Sequence, residues 1–168
     1  MFKNISLIIC VCLLAIACKQ EKKVEKNTEK NNIPKALLKN YMVGNWETSY
    51  IKIEMPTVNK TDSLQVFEDD FSNPNSGKAQ STYKEDGTFS AWFLQPDGKK
   101  SGVTNGTWKT KGDSLYVDYP YIGKQVQAWY LITKTKEGFE GKVIYDWDND
   151  GEFDDKLLMK SKRITTTN

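Results

Sequence analysis

The densest group of side chains that could do chemistry lies in ten residues near the end of the chain. These residues, DWDNDGEFDD from Asp146 to Asp155, match the pattern D-x-D-x-D-G-x-x-D. Carboxylates at alternate positions converge on one point only where the chain turns tightly, and Gly151 permits that turn. Because Ca²⁺ prefers oxygen ligands, the pattern predicts a structural Ca²⁺ site. Its predicted ligands are Asp146, Asp148, Asp150, Glu152 through its carbonyl, and Asp154.

A plain acidic turn is the alternative interpretation of this loop. A complete EF-hand loop has Glu at its twelfth position, which is Leu157 here, and Asn149-Asp150-Gly151 is also a ready hairpin turn. Clustered carboxylates nevertheless repel one another when no cation is present. If Ca²⁺ binds, we expect it to join the two flanking strands and to take no part in catalysis.

Composition excludes several kinds of catalytic site. The chain has 168 residues and no His, so it holds no Ser-His-Asp or Cys-His set and no His metal ligand. Its acidic pairs Asp69-Asp70 and Glu85-Asp86 are adjacent in sequence and not opposed across a cleft. The net charge is +2 and the basic residues are spread along the chain, which is not typical of nucleic-acid-binding proteins. We therefore expect neither an enzyme nor a nucleic-acid partner.

The first 32 residues predict export and a membrane anchor. Lys3 precedes an apolar run of about 13 residues, which suits a signal peptide and is short for a membrane span. The stretch Leu14-Ala-Ile-Ala-Cys18 resembles a bacterial lipobox, which implies a signal peptide at 1–17 and lipidation of Cys18. We expect residues 18–32 to form a flexible charged tether. An ordinary signal peptide or a short membrane anchor is the alternative.

From residue 33 on, the sequence predicts one short helix followed by β-strands. Pro34 suits a first helical turn and Gly44 ends the helix. Turn sequences such as Asp86-Gly87 and Asp97-Gly98 separate eight runs of strand-forming residues. The runs cover residues 45–55, 79–84, 88–95, 101–110, 114–119, 125–134, 139–147 and 154–164. Strands joined by hairpins predict that 33–168 is an all-β domain, an eight-stranded up-and-down antiparallel barrel, with a β-sandwich as the alternative.

The long connection at residues 56–77 contains a predicted helix. Connections of this length are uncommon unless they are functional. Asp62-Ser-Leu-Gln65 has the form of a helix cap, and Leu64, Phe67 and Phe71 then share one helical side. We predict a short helical lid here. A plain surface loop with a few buried anchors is the alternative.

Several motifs resemble the lipocalin-like (calycin) lipoproteins of Bacteroidetes-type bacteria. Val43-Gly-Asn-Trp46 is similar to the Gly-x-Trp motif that opens the first lipocalin strand, and the only Arg, Arg163, ends the last predicted strand. The segments 83–89 and 106–115 also resemble that family. The resemblance implies a structural signature of Gly44, Trp46 and Arg163, in which the guanidinium lies over the indole ring. It also implies that the 56–77 connection overhangs the mouth of a cup.

The leading functional hypothesis is a lipid-anchored envelope protein that binds a small apolar or amphipathic molecule inside the barrel. The candidate lining residues are aromatic side chains on predicted strands: Trp92, Phe93, Trp108, Trp129 and Tyr130. The alternative is a non-transporting structural or interaction module of the cell envelope, stabilised by calcium, and an unrecognised hydrolase is a third hypothesis. We expect a monomer without an organic cofactor, attached to the membrane through Cys18. Lys19 favours the outer membrane.

Overall fold

The computed structural model describes residues 37–58, 60–61 and 63–165. The predicted signal peptide at 1–17, the lipid anchor Cys18 and the tether at 18–32 lie outside the described residues. Asp62, the predicted helix cap of the long connection, also lies outside them. Within the described ranges, no helix combines the length and the apolar character that crossing a membrane requires.

One short helix and nine strands make up the described chain. The helix α1 covers Leu38–Met42. The strands are β1 (Gly44–Met55), β2 (Gln65–Asp69), β3 (Lys78–Tyr83), β4 (Thr88–Leu94), β5 (Lys100–Lys111), β6 (Ser114–Tyr121), β7 (Lys124–Lys134), β8 (Gly138–Tyr145) and β9 (Asp155–Arg163). All strands except β2 correspond to predicted strands, because the Gly-containing turns between them were readable in the sequence.

Eight of the strands close into an antiparallel barrel. From β3 to β9 each strand pairs with the next one along the chain, and β1 pairs with both β3 and β9, which closes the ring. Closure supplies hydrogen-bond partners to backbone groups that would otherwise form an open sheet edge. The predicted eight-stranded up-and-down barrel is therefore confirmed in preference to the β-sandwich.

The long connection after β1 contains a strand where a helical lid is predicted. β2 pairs with the second half of β1, from Ile51 to Met55, whereas β3 pairs only with the first half, from Gly44 to Glu47. The helical prediction is therefore wrong. The backbone of β1 beyond Glu47 needs partners on that side, and β2 supplies them by non-local pairing that a local helical spacing cannot reveal.

Side chains of the protein itself fill the barrel interior. Along β7 burial alternates strictly, with Val126, Ala128, Tyr130 and Ile132 buried and the residues between them exposed. Aromatic rings pack between the strands, with centroid distances of 4.9 Å for Trp46–Phe139, 4.9 Å for Tyr83–Phe89, 5.4 Å for Tyr83–Trp108 and 5.3 Å for Phe89–Tyr119. Burial raises the pKa of Tyr119 to about 12. The interior is thus a packed aromatic core.

The start of β1 and the end of β9 meet beside α1. Trp46 is only 1 % exposed, and its Nε1–H donates to the Met42 carbonyl at 2.8 Å. Arg163 is the register partner of Trp46 across the β1–β9 ladder. Gly44 has φ +130°, and a Cβ at this position would lie 2.5 Å from Nη1 of Arg163. Glycine is therefore required here both for the backbone conformation and for the close approach of the guanidinium.

Candidate functional site

The loop between β8 and β9 is shaped by hydrogen bonds among its own residues. Asn149 and Gly151 adopt positive φ angles of 66° and 91°, which turn the chain sharply. Oδ1 of Asp148 accepts the backbone N–H of Asp150 at 3.1 Å, and Oδ1 of Asp150 accepts the N–H of Glu152 at 2.8 Å. Side-chain acceptors of this kind stabilise tight turns. The turns bring carboxylates from the two ends of the loop together.

Asp155, the first residue of β9, is fully buried at 0 % exposure. Its Oδ2 accepts the backbone N–H of Trp147 at 2.6 Å and that of Asp148 at 3.2 Å. Burial raises the pKa of the Asp155 carboxyl, the two N–H groups lower it, and the charges of Asp148 and Asp154 raise it; the net shift is upward. This carboxylate therefore ties the start of β9 to the loop, but it is costly to ionise unless a cation is close.

Three aspartates place carboxylate oxygens close enough to share one cation. One oxygen from each of Asp146, Asp148 and Asp155 lies within 4.8 Å of the other two. Oxygens that bind the same Ca²⁺ at about 2.4 Å are at most about 4.8 Å apart, so this spacing suits the ion.

Buried oxygens of these carboxylates lack hydrogen-bond partners. Within the described residues, one buried oxygen without a partner occurs on each of Asp146, Asp148 and Asp155, and another on Asp154. Buried polar atoms in proteins are normally paired. The unpaired carboxylate oxygens make this loop a candidate cation-binding site; Nε1 of Trp147, in the same loop, is also buried without a partner.

The other predicted metal ligands make different contacts. Oδ2 of Asp150 accepts the backbone N–H of Lys60 at 3.3 Å. Oε2 of Glu152 and Oδ2 of Asp154 both accept the hydroxyl of Thr57, at 3.0 Å and 3.3 Å. The structure thus brings together Asp146 and Asp148 of the predicted set, and it joins them with Asp155, which the sequence pattern did not single out.

A signal for Asp155 does exist in the sequence. Asp155, Leu157 and Ser161 occupy alternate, buried positions of β9. A carboxylate in phase with the core residues of a strand must be paired or bound, because burying an isolated charge is very costly. The D-x-D-x-D-G-x-x-D pattern points instead to Asp154, the residue immediately before β9, which is half-buried.

The five aromatic residues predicted to line a ligand cup do not face a common space. Trp108 and Tyr130 are buried in the interior, whereas Trp129 and Phe93 are exposed. The Trp92 ring is half-buried: its Nε1–H donates to Oε1 of Gln80 at 3.1 Å, and the Nζ of Lys100 lies 3.5 Å from its centroid. Strands with apolar residues on both faces left these orientations open in the sequence, and closure of the barrel determines them.

No protein-family model matches this chain, and no curated protein matches it. The barrel itself is shown by the structure, whereas the resemblance to lipocalin-like lipoproteins stays a prediction. Functional inference for this chain therefore depends on the geometry of its own residues.

Proposed function

We propose that this protein is a lipid-anchored, non-enzymatic module of the bacterial cell envelope whose barrel is stabilised by a structural Ca²⁺ ion. The observation that carries the calcium part is the convergence of Asp146, Asp148 and the fully buried Asp155, each with an unpaired buried oxygen. The proposed ligands are therefore these three carboxylates. Asp154 supplies a further buried oxygen.

Electrostatics explain how the cation would stabilise the fold. Two carboxylates 4 Å apart repel each other by about 4 kcal/mol at an effective dielectric constant of about 20. A bound Ca²⁺ turns this repulsion into attraction and fastens the end of β8 to the start of β9. All three cysteines lie at positions 10, 12 and 18, so no disulfide can stabilise the domain from residue 19 onward.

The acidic loop also connects other parts of the same barrel end. The Nζ of Lys124, at the start of β7, donates to the Asp146 carbonyl. Thr57 and Lys60, in the connection after β1, contact the carboxylates of Glu152 and Asp150. A cation that orders this loop would therefore also stabilise the start of β7 and the connection after β1. This is a structural role.

The packed interior supports this proposal over a ligand cup inside the barrel. Leu115 and Val126 are completely buried, and Tyr83, Trp108 and Tyr130 are at most 5 % exposed. A molecule bound inside would have to displace several of these side chains, and large displacements in a close-packed core are costly.

Export and anchoring are proposed from the sequence alone. The lipobox-like stretch ending at Cys18 supports lipidation of that residue, and the absence of His from the chain supports a non-catalytic role. Expression of the full chain in a bacterial host, followed by mass spectrometry, tests the anchor. We expect a diacylglyceryl mass on the wild type and on Cys12→Ala, and its loss on Cys18→Ala. Lipid on the Cys18→Ala variant would contradict the proposal.

Thermal unfolding with and without Ca²⁺ tests the metal site. A ligand that binds only the native state at 100 times its Kd stabilises it by about 2.7 kcal/mol, so Ca²⁺ should raise the Tm relative to EDTA. Mg²⁺ at the same concentration should raise it less, because Mg²⁺ requires near-ideal octahedral geometry and gives up its water ligands reluctantly. Identical wild-type melting curves in Ca²⁺ and EDTA would contradict the calcium site.

The Asp155→Asn variant should differ from the wild type in opposite directions with and without Ca²⁺. The amide that replaces the carboxylate keeps a carbonyl oxygen that can accept the N–H groups of Trp147 and Asp148, and its NH₂ group can donate to the neighbouring carboxylates. In EDTA we therefore expect the variant to melt at or above the wild-type temperature, and in Ca²⁺ below it. Asp97→Asn, in the turn between β4 and β5, is the matched control and should keep the full response to Ca²⁺.

A further inference from the structure

A groove of about 590 Å³ lies on the outer wall of the barrel, where residues of β7, β8, β9 and β1 line it. Trp129 and Leu131 line it from β7, and Ile144 lines it from β8. These residues are outside the barrel, because Tyr130 and Val143 beside them in sequence have the opposite phase and are buried. The groove volume lies within the range of roughly 300–1,000 Å³ that is typical of small-molecule sites.

The groove exists because the ladder between β7 and β8 stops early. These strands pair over four positions only, from Leu131↔Lys142 to Lys134↔Phe139, whereas β6 and β7 pair over eight. Beyond Leu131 and Lys142 the two strands separate. Val143 and Leu157, which belong to the core, therefore take part in lining a groove that opens on the outside.

Large apolar side chains are exposed along this opening. Trp129 is 43 % exposed, Leu131 is 55 % exposed and Ile144 is 60 % exposed, and all three line the same groove. Single exposed apolar residues are common, but a contiguous set around a concavity marks a binding surface. Trp129 also presents a large, rigid ring that can cover an alkyl chain.

The charge around the groove identifies the kind of ligand. Its lining includes Lys52, Lys142 and Lys156 and a single acid, Glu54. Residues 33–168 contain 18 basic and 19 acidic residues, so this excess of lysine is opposite in sign to the slight net negative charge of the domain.

Nζ of Lys52 pairs with Glu54 at 2.7 Å, and Nζ of Lys142 pairs with Glu140 at 3.0 Å. Lys156 lies opposite Glu54 in the β1–β9 ladder, and its charge adds to the hydrogen bond and charge of Lys52 in lowering the pKa of that carboxyl. Glu54 already pairs with Lys52, and no ion pair of Lys156 occurs within the described chain, so among these lysines Lys156 is the one best placed to meet an added anion.

We infer that this groove binds a single-chain anionic amphiphile, namely a free long-chain carboxylate. The alkyl chain contacts Trp129, Leu131 and Ile144, and the carboxylate pairs with Lys156 at the rim. This site is separate from the barrel interior and from the acidic loop, and it requires no metal ion. Binding there adds a ligand-binding activity to a domain whose interior is packed.

Calorimetric titration of the full chain with dodecanoate in EDTA tests the inference. EDTA removes calcium, so failure of the metal proposal cannot affect the result. Dodecyltrimethylammonium, whose alkyl chain is one methylene longer and whose charge is opposite, is the control ligand. We expect dodecanoate to bind at least tenfold more tightly than the ammonium compound. Equal affinities, or no binding of dodecanoate at millimolar concentration, would overturn the inference.

Two pairs of variants locate the bound molecule. Leu131→Glu places a negative charge in the groove and should weaken dodecanoate binding at least tenfold, whereas Leu64→Glu, at another exposed leucine before β2, should change it less than twofold. Lys156→Gln should weaken binding of dodecanoate several-fold and should not weaken binding of the ammonium compound, because removing a positive charge relieves repulsion of a cation. Lys136→Gln, in the turn between β7 and β8, is its control.

Thermal unfolding of each variant first establishes that it is folded. Lys156→Gln changes an exposed side chain and should keep the wild-type Tm, so it remains informative if Leu131→Glu unfolds. Unchanged dodecanoate affinity in a folded Leu131→Glu variant would show that the molecule binds elsewhere, and the inference would then be wrong. Unchanged affinity in Lys156→Gln would overturn the assigned headgroup contact.

Discussion

The guanidinium carbon of Arg163 lies 4.1 Å from the centroid of the Trp46 ring, across the ladder that closes the barrel. The guanidinium also donates to the backbone carbonyls of Val43, at 2.9 Å, and Tyr41. One side chain therefore holds three elements together: the last strand, the first strand, and α1 with Val43, the residue that follows it. Its planar, multi-donor group suits this role in a way that a lysine ammonium does not.

Arg163→Ala should destabilise the protein by about 1–3 kcal/mol, because it removes a cation–π contact and two hydrogen bonds at the closure of the barrel. Arg163→Lys should recover only part of this loss. Urea denaturation measures the free energy of unfolding, and Lys136→Ala, at an exposed lysine in the β7–β8 turn, is the control. An Arg163→Ala variant as stable as the control would show that the contact contributes nothing.

Gly44→Ala should cost more than an ordinary substitution at a glycine with positive φ. The added Cβ would meet Nη1 of Arg163 at 2.5 Å in addition to straining the backbone at φ +130°. Gly98→Ala is the matched control, since Gly98 has φ +80° with no heavy atom within 4 Å of the added Cβ.

A double-mutant cycle separates the two effects at Gly44. In the Arg163→Ala background the steric part should disappear, so the cost of Gly44→Ala should fall toward that of Gly98→Ala. Equal costs of Gly44→Ala in both backgrounds would mean that Arg163 imposes no steric requirement. Urea denaturation of the four proteins provides the comparison.

Strand positions were predictable from the sequence because the turns are marked locally. Asp86-Gly87, Asp97-Gly98 and Gly112 each lie between two strands, and these three glycines have positive φ angles of 85°, 80° and 58°. Turn chemistry acts over a few residues, so single-sequence reading can detect it. The eight-stranded barrel followed from counting the strands that these turns separate.

Local turn signals do not reveal which side chains face inward. They also do not reveal strand β2 or the place of Asp155 in the carboxylate cluster. β7 has apolar residues on both faces, and only closure of the ring decides that Tyr130 points inward and Trp129 outward. β2 depends on which part of β1 lacks a partner, which is a property of the whole sheet. Asp155 required knowing the phase of β9, because its neighbour Asp154 fits the local motif better.

Glu47 should make barrel closure dependent on pH. Burial by itself would raise the pKa of Glu47, but hydrogen bonds from Gln80 at 3.0 Å and Lys162 at 3.1 Å and the charges of Lys162 and Lys78 outweigh burial, so the pKa is lowered. Because the pKa of Glu47 is lower in the folded state, the unfolded chain binds more protons. The contribution of Glu47 to the free energy of unfolding is therefore fully present above its unfolded pKa of about 4.3. It is lost as the pH falls through the folded pKa.

Glu47→Gln should therefore reduce the free energy of unfolding at pH 7 by about 1 kcal/mol or less, since the glutamate is partly solvated. The difference from the wild type should shrink as the pH is lowered below about 4. Urea denaturation at several pH values measures this, with Glu85→Gln in the β3–β4 turn as the control. A difference that does not depend on pH would mean that Glu47 acts through packing and not through its charge.

Calcium titration of two aspartate variants distinguishes the ligand set in the structure from the one predicted by the D-x-D-x-D-G motif. The carboxylate of Asp150 accepts backbone N–H groups of Glu152 and Lys60, and an asparagine oxygen can accept at least one of them. Asp150→Asn should therefore change the calcium Kd less than about threefold. Asp146→Asn removes one charge from the convergent group of three carboxylates and should weaken calcium binding about tenfold or more, because ligand charge strongly tunes affinity in such sites. Equal weakening by the two substitutions would favour EF-hand-like coordination through Asp150.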